Sequence, residues 1–167
     1  MRILLVRYSG VYCAKSILQV WSDDADTPAL VCEAREAKYK DYSEKFPNCS
    51  NYCLPTGVYP VKVRATKYSP MTLVVQKAAG HKGCAIGYDI VKQYTFGDVL
   101  IGRGKDADNP LLCRLTDQKA VFDNLQKLVY RAFAIGQEIT LEVRNEVKEA
   151  TEEQWQEWRE CTEMGNL

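Results

Sequence analysis

The chain has 167 residues, 46% of them hydrophobic and 26% charged, with 22 Lys plus Arg balanced by 22 Asp plus Glu. At this length a single domain buries roughly two thirds of its unfolded surface, so neither a metal nor a disulfide framework is needed to hold it together. The zero net charge argues against a nucleic-acid binder that works by bulk phosphate neutralisation. No segment approaches the about 20 consecutive apolar residues of a membrane-spanning helix, and the apolar run of MRILLVRYSG is too short, and broken by Arg7, for a signal peptide. A protein that is cytoplasmic at synthesis is expected, with incorporation into a particle or export without a signal peptide as its ways out.

The first half reads as strands, in short runs of Val, Ile, Leu and Tyr separated by polar, Gly or Pro punctuation. RILLVR, SILQVW and ALVCEA are the first three. Neither face of SILQVW is clearly polar, which predicts a strand covered on both sides. SDDADTPA between the last two is a surface turn. EAREAKYKDYSEKF, residues 33–46, is charged and poorly periodic, and is expected as an exposed excursion.

LPTGVYPVKVRAT places Pro55 and Gly57 in a turn before an alternating strand, with Val58, Val61 and Val63 set against Lys62 and Arg64. Pro60 predicts an edge strand or a strand start, because proline donates nothing to a ladder. MTLVVQ is its hairpin partner, AAGHKGCAIGYD a loop around at most a short strand, DVLIGRGK a strand ending in a Gly-rich loop, and LLCRL a brief strand.

The strongest helix runs from Asp117 to Ile135. Thr116 or Asp117 is its N-cap, accepting a bond from a first-turn N–H, and Gly136 stands where a left-handed C-terminal residue is wanted. Val121, Phe122, Leu125, Leu128, Val129, Ala132 and Phe133 form one apolar stripe that must pack on the sheet. QEITLEVR then alternates Ile139, Leu141 and Val143 with Glu138, Thr140 and Glu142, the clearest half-buried strand in the chain. An acidic amphipathic helix is expected from about Glu146 to Met164. Trp155 and Trp158, three residues apart, share one face of it, which packs on the barrel or docks on another subunit or protein.

The expected fold is α+β: a mainly antiparallel β-sheet or barrel-like domain over residues 1–145 with one long packed helix at 117–135, followed by the acidic C-terminal helical tail at 146–167. The chain shows no repeat, low-complexity tract or dividing linker.

The seven cysteines are an odd number scattered along the chain: Cys13, Cys32, Cys49, Cys53, Cys84, Cys113 and Cys161. Reduced thiols, most of them small buried hydrophobes, are the default without an export signal. Cys49 and Cys53 form a close pair, but structural zinc takes four ligands and His81 is the single histidine, so no metal and no other cofactor is expected. GRGKD at residues 102–106 lacks the spacing of a phosphate-binding Walker loop.

Cys113 lies just ahead of the helix beginning near Asp117, with Arg114 adjacent, a setting that stabilises a thiolate. A core thiol among the leucines of LLCRL would look the same.

MRILLVRYS, LPTGVYPVKV, IGRGK, a cysteine eight residues beyond that lysine, the helix and GQEITLEV follow one another in an order that resembles an uncharacterised β-rich domain family of bacteria and their phages. In that family a PxGxYxV segment precedes an IHPGN motif and then a GC pair. The pattern in turn resembles L,D-transpeptidases, whose β-rich domain uses a Cys nucleophile and a His base on peptidoglycan stem peptides. The resemblance implies a bacterial or phage setting linked to the cell envelope or a particle, and it implies Cys113 as nucleophile.

At the matching positions, however, the family's His falls on Gly102, its Pro on Arg103, its Asn on Lys105, and the Gly before the Cys on Leu112. The base is gone. Arg103, Lys105 and Arg114 can lower a thiol pKa or bind an anion, but no guanidinium or ammonium shuttles protons at neutral pH. His81, in GHKGCAIG, is the one substitute base, for Cys84 locally or for Cys113 through the fold. Two functions follow. The first is a non-catalytic structural or binding module on a degenerate transpeptidase-like scaffold, associating through its C-terminal helix with itself or a protein partner. The second is a cysteine-dependent peptidoglycan transpeptidase or peptidase using Cys113 and His81.

Overall fold

Alternation in RILLVRYS puts Ile3, Leu5 and Arg7 on one side of strand β1 (Arg2–Ser9), and all three are fully buried. A computed structural model of the chain describes residues 1–9, 13–37, 52–65, 71–78, 84–88, 98–104 and 115–146. After β1 come β2 (Ala14–Trp21), β3 (Leu30–Glu36), β4 (Gly57–Arg64), β5 (Thr72–Val75), β6 (Ala85–Gly87), β7 (Val99–Gly104), β8 (Leu115–Thr116), α1 (Gln118–Ala134) and β9 (Thr140–Asn145).

The strands pair in the order β3-β2-β1-β9-β4-β5-β6-β7-β8, and a further β3–β7 pairing closes the first eight of these into a barrel. Closure runs through Glu33↔Gly102, Ala34↔Ile101 and Arg35↔Leu100. The pairs β1–β9 and β6–β7 are parallel and the rest antiparallel. A β-rich, mainly antiparallel barrel with one long helix is therefore the fold. The acidic tail from residue 147 onward lies outside the described residues.

An eight-stranded barrel has an interior just wide enough for side chains to fill. Here Ile3, Leu5, Leu18, Val20, Tyr59, Val61, Leu73, Ile86, Ile101, Leu141 and Val143 fill it. Helix α1 adds Val121, Phe122, Leu125, Val129 and Ala132 to the same core. Gln126 Nε2 of α1 donates to the Met71 carbonyl at 3.0 Å, and Gln137, just beyond the helix, donates to Asp23. Both partners lie at the end where β1 begins, opposite the end that holds Arg7 and Glu36.

Four expectations change. Residues 33–36 are not an exposed excursion: they complete β3, with Ala34, Arg35, Glu36 and the following Ala37 all buried, because each charge on the strand finds an opposite charge; residues 38–46 of that stretch lie outside the described residues. Val58 is 65% exposed; the inward face of β4 is Tyr59, Val61 and Val63, so Val61 and Val63 face inward as read from the sequence while Tyr59 takes the place given to Val58. Pro60 marks neither an edge nor a start but the handover of β4 from β9, paired over residues 57–60, to β5, paired over 61–64. Phe133 is 59% exposed, at the margin of the helical stripe.

The helix ends follow the sequence more closely. Gly136 has φ +70°, its N–H donates to the Phe133 carbonyl, and the Gln137 N–H donates to the Ala132 carbonyl, a Schellman closure that satisfies two terminal carbonyls. Asp117 is the N-cap, but it sits in the left-handed region at φ 51° and its side chain makes no cap bond.

Candidate functional site

The position where the family resemblance expects a base lies on β7. Val99 and Ile101 of that strand point into the core, so Gly102 and Gly104 face the other way. Strand β8 pairs with the last two residues of β7, bringing Leu115, Thr116 and the start of α1 over Gly102. A Cβ on Gly102 would stand 2.7 Å from the Thr116 backbone oxygen and 3.0 Å from both Gln118 Cγ and Leu115 Cβ. Any side chain there must displace backbone. A Cβ on Gly104 would overlap the Glu33 carboxylate.

Glu33 is itself tied down. Its Oε2 accepts from Arg35 Nη2 at 2.5 Å, while Arg35 Nη1 donates to the Ala34 carbonyl at 2.9 Å. Arg35 is 3% exposed, and among the described residues its Nε has no hydrogen-bond partner. Tyr8 stands beside this pair, and burial pushes its phenol above the ordinary value, against the opposing pull of Arg35. Lys15, paired with Arg35 across β2 and β3, is likewise buried. Together these residues line the outer surface of the seam between β3 and β7 with charge.

Arg103 stands away from that seam. Its side chain is 76% exposed, its Nε is 3.7 Å from Asp117 Oδ2, and its carbonyl accepts from Thr116 Oγ1 at 3.3 Å. His81, Lys105, Cys113, Arg114, Trp155 and Trp158 lie outside the described residues.

Cys13 is disulfide-bonded, which departs from the default of seven reduced thiols; pairing of this kind is not readable from spacing. Cys32, Cys53 and Cys84 are buried and outside any disulfide. Burial pushes the Cys32 thiol up to about 12, and burial reinforced by Asp98 and Glu36 pushes Cys84 up as well. A nucleophilic cysteine needs the opposite shift.

Inside the barrel, at the end away from α1, lies a polar cluster that the sequence reading did not find. Arg7 Nε and Nη2 each donate to one oxygen of Glu36 at 2.7 Å, a bidentate pair in which both residues are about fully buried. Arg7 Nη2 also donates to the Leu54 carbonyl at 2.5 Å, and Nη1 to Asn145 Oδ1 at 2.9 Å. Glu36 Oε1 accepts from the Leu54 N–H at 2.9 Å. Arg7 and Glu36 thus clamp both backbone groups of Leu54, seating it, fully buried, in that end of the barrel. Tyr59 closes the same region, its hydroxyl donating to the Pro55 carbonyl at 2.8 Å. The signal was strand parity: Arg7 falls in step with Ile3 and Leu5, and Glu36 with Cys32 and Ala34, so each charge sits on an inward-facing row.

Among the described residues no group of three or more His, Cys, Asp or Glu side chains is placed to hold a metal ion. Among them, too, no helix is long and apolar enough to cross a membrane. No protein-family model, curated protein or solved structure matches the chain.

Proposed function

We propose that the chain is a non-catalytic structural or binding module, of bacterial or phage origin, on a barrel that keeps the order of a transpeptidase-like scaffold without its base. One observation carries this reading: the space into which a side chain at residue 102 would project is filled by the Thr116 backbone oxygen, Leu115 and Gln118. A base at that position is not merely absent, since β8 has packed into its place. Two described free thiols support the same reading, because burial raises both Cys32 and Cys84 and so keeps them protonated and unreactive near neutral pH. What the module does, on this reading, is associate with a protein surface through the segment containing Trp155 and Trp158.

The test is acyl transfer itself. Full-length protein incubated with a peptidoglycan stem tetrapeptide is followed by intact mass. No covalent adduct is expected; an acyl adduct mapping to Cys113 would overturn the reading in favour of the cysteine enzyme with His81 as base.

A further inference from the structure

Helix α1 turns one half of its surface away from the core. On that half Tyr130 is 61% and Phe133 59% exposed, and Ile135 just beyond the helix is 79% exposed. Singly exposed apolar residues are ordinary, but two aromatic rings three residues apart on one helix, followed by an exposed isoleucine, form a patch of the kind that interfaces use as anchors. The patch is edged by positive charge. Lys119 is tied to Asp123 at 2.7 Å, while Lys127 and Arg131, four residues apart, are exposed beside Tyr130.

The chain also encodes a segment of matching chemistry. Residues 147–167 contain six Glu against one Lys and one Arg, and the same stretch carries Trp155 and Trp158, again three residues apart. Acidic residues crowd the tryptophans: Glu152, Glu153, Glu157 and Glu160. An aromatic pair edged with carboxylates is the complement of an aromatic pair edged with Lys127 and Arg131, and such complementarity sets both register and choice of partner.

We propose that the outward face of α1, built by Lys127, Tyr130, Arg131 and Phe133, is the docking surface for the Trp155–Trp158 segment of a second copy of this chain. Among the described residues, Lys127, Tyr130, Arg131 and Phe133 are exposed, so the face is open to a partner. Each copy carries one donor segment and one acceptor face, so reciprocal exchange makes both contacts at once and closes a twofold dimer, each contact raising the effective concentration of the other. This inference rests on the module reading above and names its partner.

The experiment is sedimentation equilibrium of the full-length protein across a hundredfold concentration range, with the melting temperature of each variant measured beside it. The wild type is expected to dimerise. Tyr130→Ser with Phe133→Ser, both at exposed positions, is expected to weaken dimerisation at least tenfold without lowering the melting temperature. Lys127→Glu with Arg131→Glu is expected to do the same, and mixing that variant with Glu152→Lys, Glu153→Lys and Glu157→Lys in a second chain restores a heterodimer. A wild type that stays monomeric throughout overturns the proposal. So does a dimer lost on Trp155→Ser with Trp158→Ser yet indifferent to every α1 variant, an outcome that leaves association through the tail standing. A monomer whose tryptophan fluorescence responds to the α1 variants places the segment on its own helix and overturns the second copy as occupant.

Discussion

The backbone oxygen of Thr116 stands 2.7 Å from the point a Cβ would occupy on Gly102. Real Cβ atoms do not approach so closely, and the obstacle is main chain held in the β7–β8 ladder by Arg103↔Thr116 and Gly104↔Leu115. Gly102→Ala is therefore expected to lower stability by about 1–3 kcal/mol, the usual cost of overpacking. Gly102→His is expected to cost more and to produce no acyl transfer. Urea denaturation checks both; a Gly102→His protein as stable as wild type would mean that β8 yields and that position 102 accepts a side chain.

The clamp formed by Arg7 and Glu36 makes a second prediction. Removing one partner leaves the other charge buried, at a cost of about 3–5 kcal/mol, so Arg7→Met and Glu36→Met should each be strongly destabilising. The double variant Arg7→Met with Glu36→Met should lose much less than the sum of the two single changes, because no charge is stranded. A double-mutant cycle in denaturant measures this. Additive losses would show that the pair acts only through its separate contacts with Leu54 and Asn145.

Stability at alkaline pH should carry the mark of Cys32. Burial raises its thiol from 9.0 to about 12, so the folded state holds a proton that the unfolded state releases first. The contribution is complete below pH 9.0, the unfolded value, and is lost as pH rises toward about 12, the folded one. Wild type is thus expected to lose stability more steeply above pH 9 than Cys32→Ala, whose own penalty is a constant cavity cost. Parallel pH profiles for the two proteins would show that this thiol is hydrated.

At the C-terminus of α1, Gly136 adopts φ +70° with no atom of the described residues within 4 Å of its missing Cβ, so the cost of a side chain there is conformational and not steric. Gly136→Ala should destabilise by about 1 kcal/mol. Thermal unfolding checks it; an unchanged melting temperature would show that the Schellman closure tolerates a side chain.

Much of the barrel is legible from two-residue alternation alone. Ile3 and Leu5, Val61 and Val63, and Ile139, Leu141 and Val143 announce their faces by pattern, and the stripe from Val121 to Ala132 announces the helix. What alternation does not carry is partner identity. The parallel pairing of β1 with β9 joins the two ends of the described chain, and no local signal in RILLVR or ITLEVR distinguishes it from an antiparallel neighbour.

Charge misled in EAREA, where residues that look solvated are buried because Arg7, from another strand, neutralises Glu36. Asp117 misled in the opposite sense: it stands at the predicted cap, but its carboxylate turns toward Arg103 and not to the helix N–H groups. The candidate site was half legible. That residue 102 carries no side chain is read directly from the sequence, whereas the reason one is barred there lies in the packing of β8, which no spacing rule reports.

The account stands on the absence of an activated cysteine, and thiol alkylation of the native full-length protein near neutral pH tests that most directly, with each site resolved by peptide mapping over time. The account predicts that Cys32 and Cys84 label slowly and that no other free thiol outpaces an ordinary exposed cysteine. A Cys113 that labels far faster than every other thiol, and slows when His81→Ala is introduced, would contradict it.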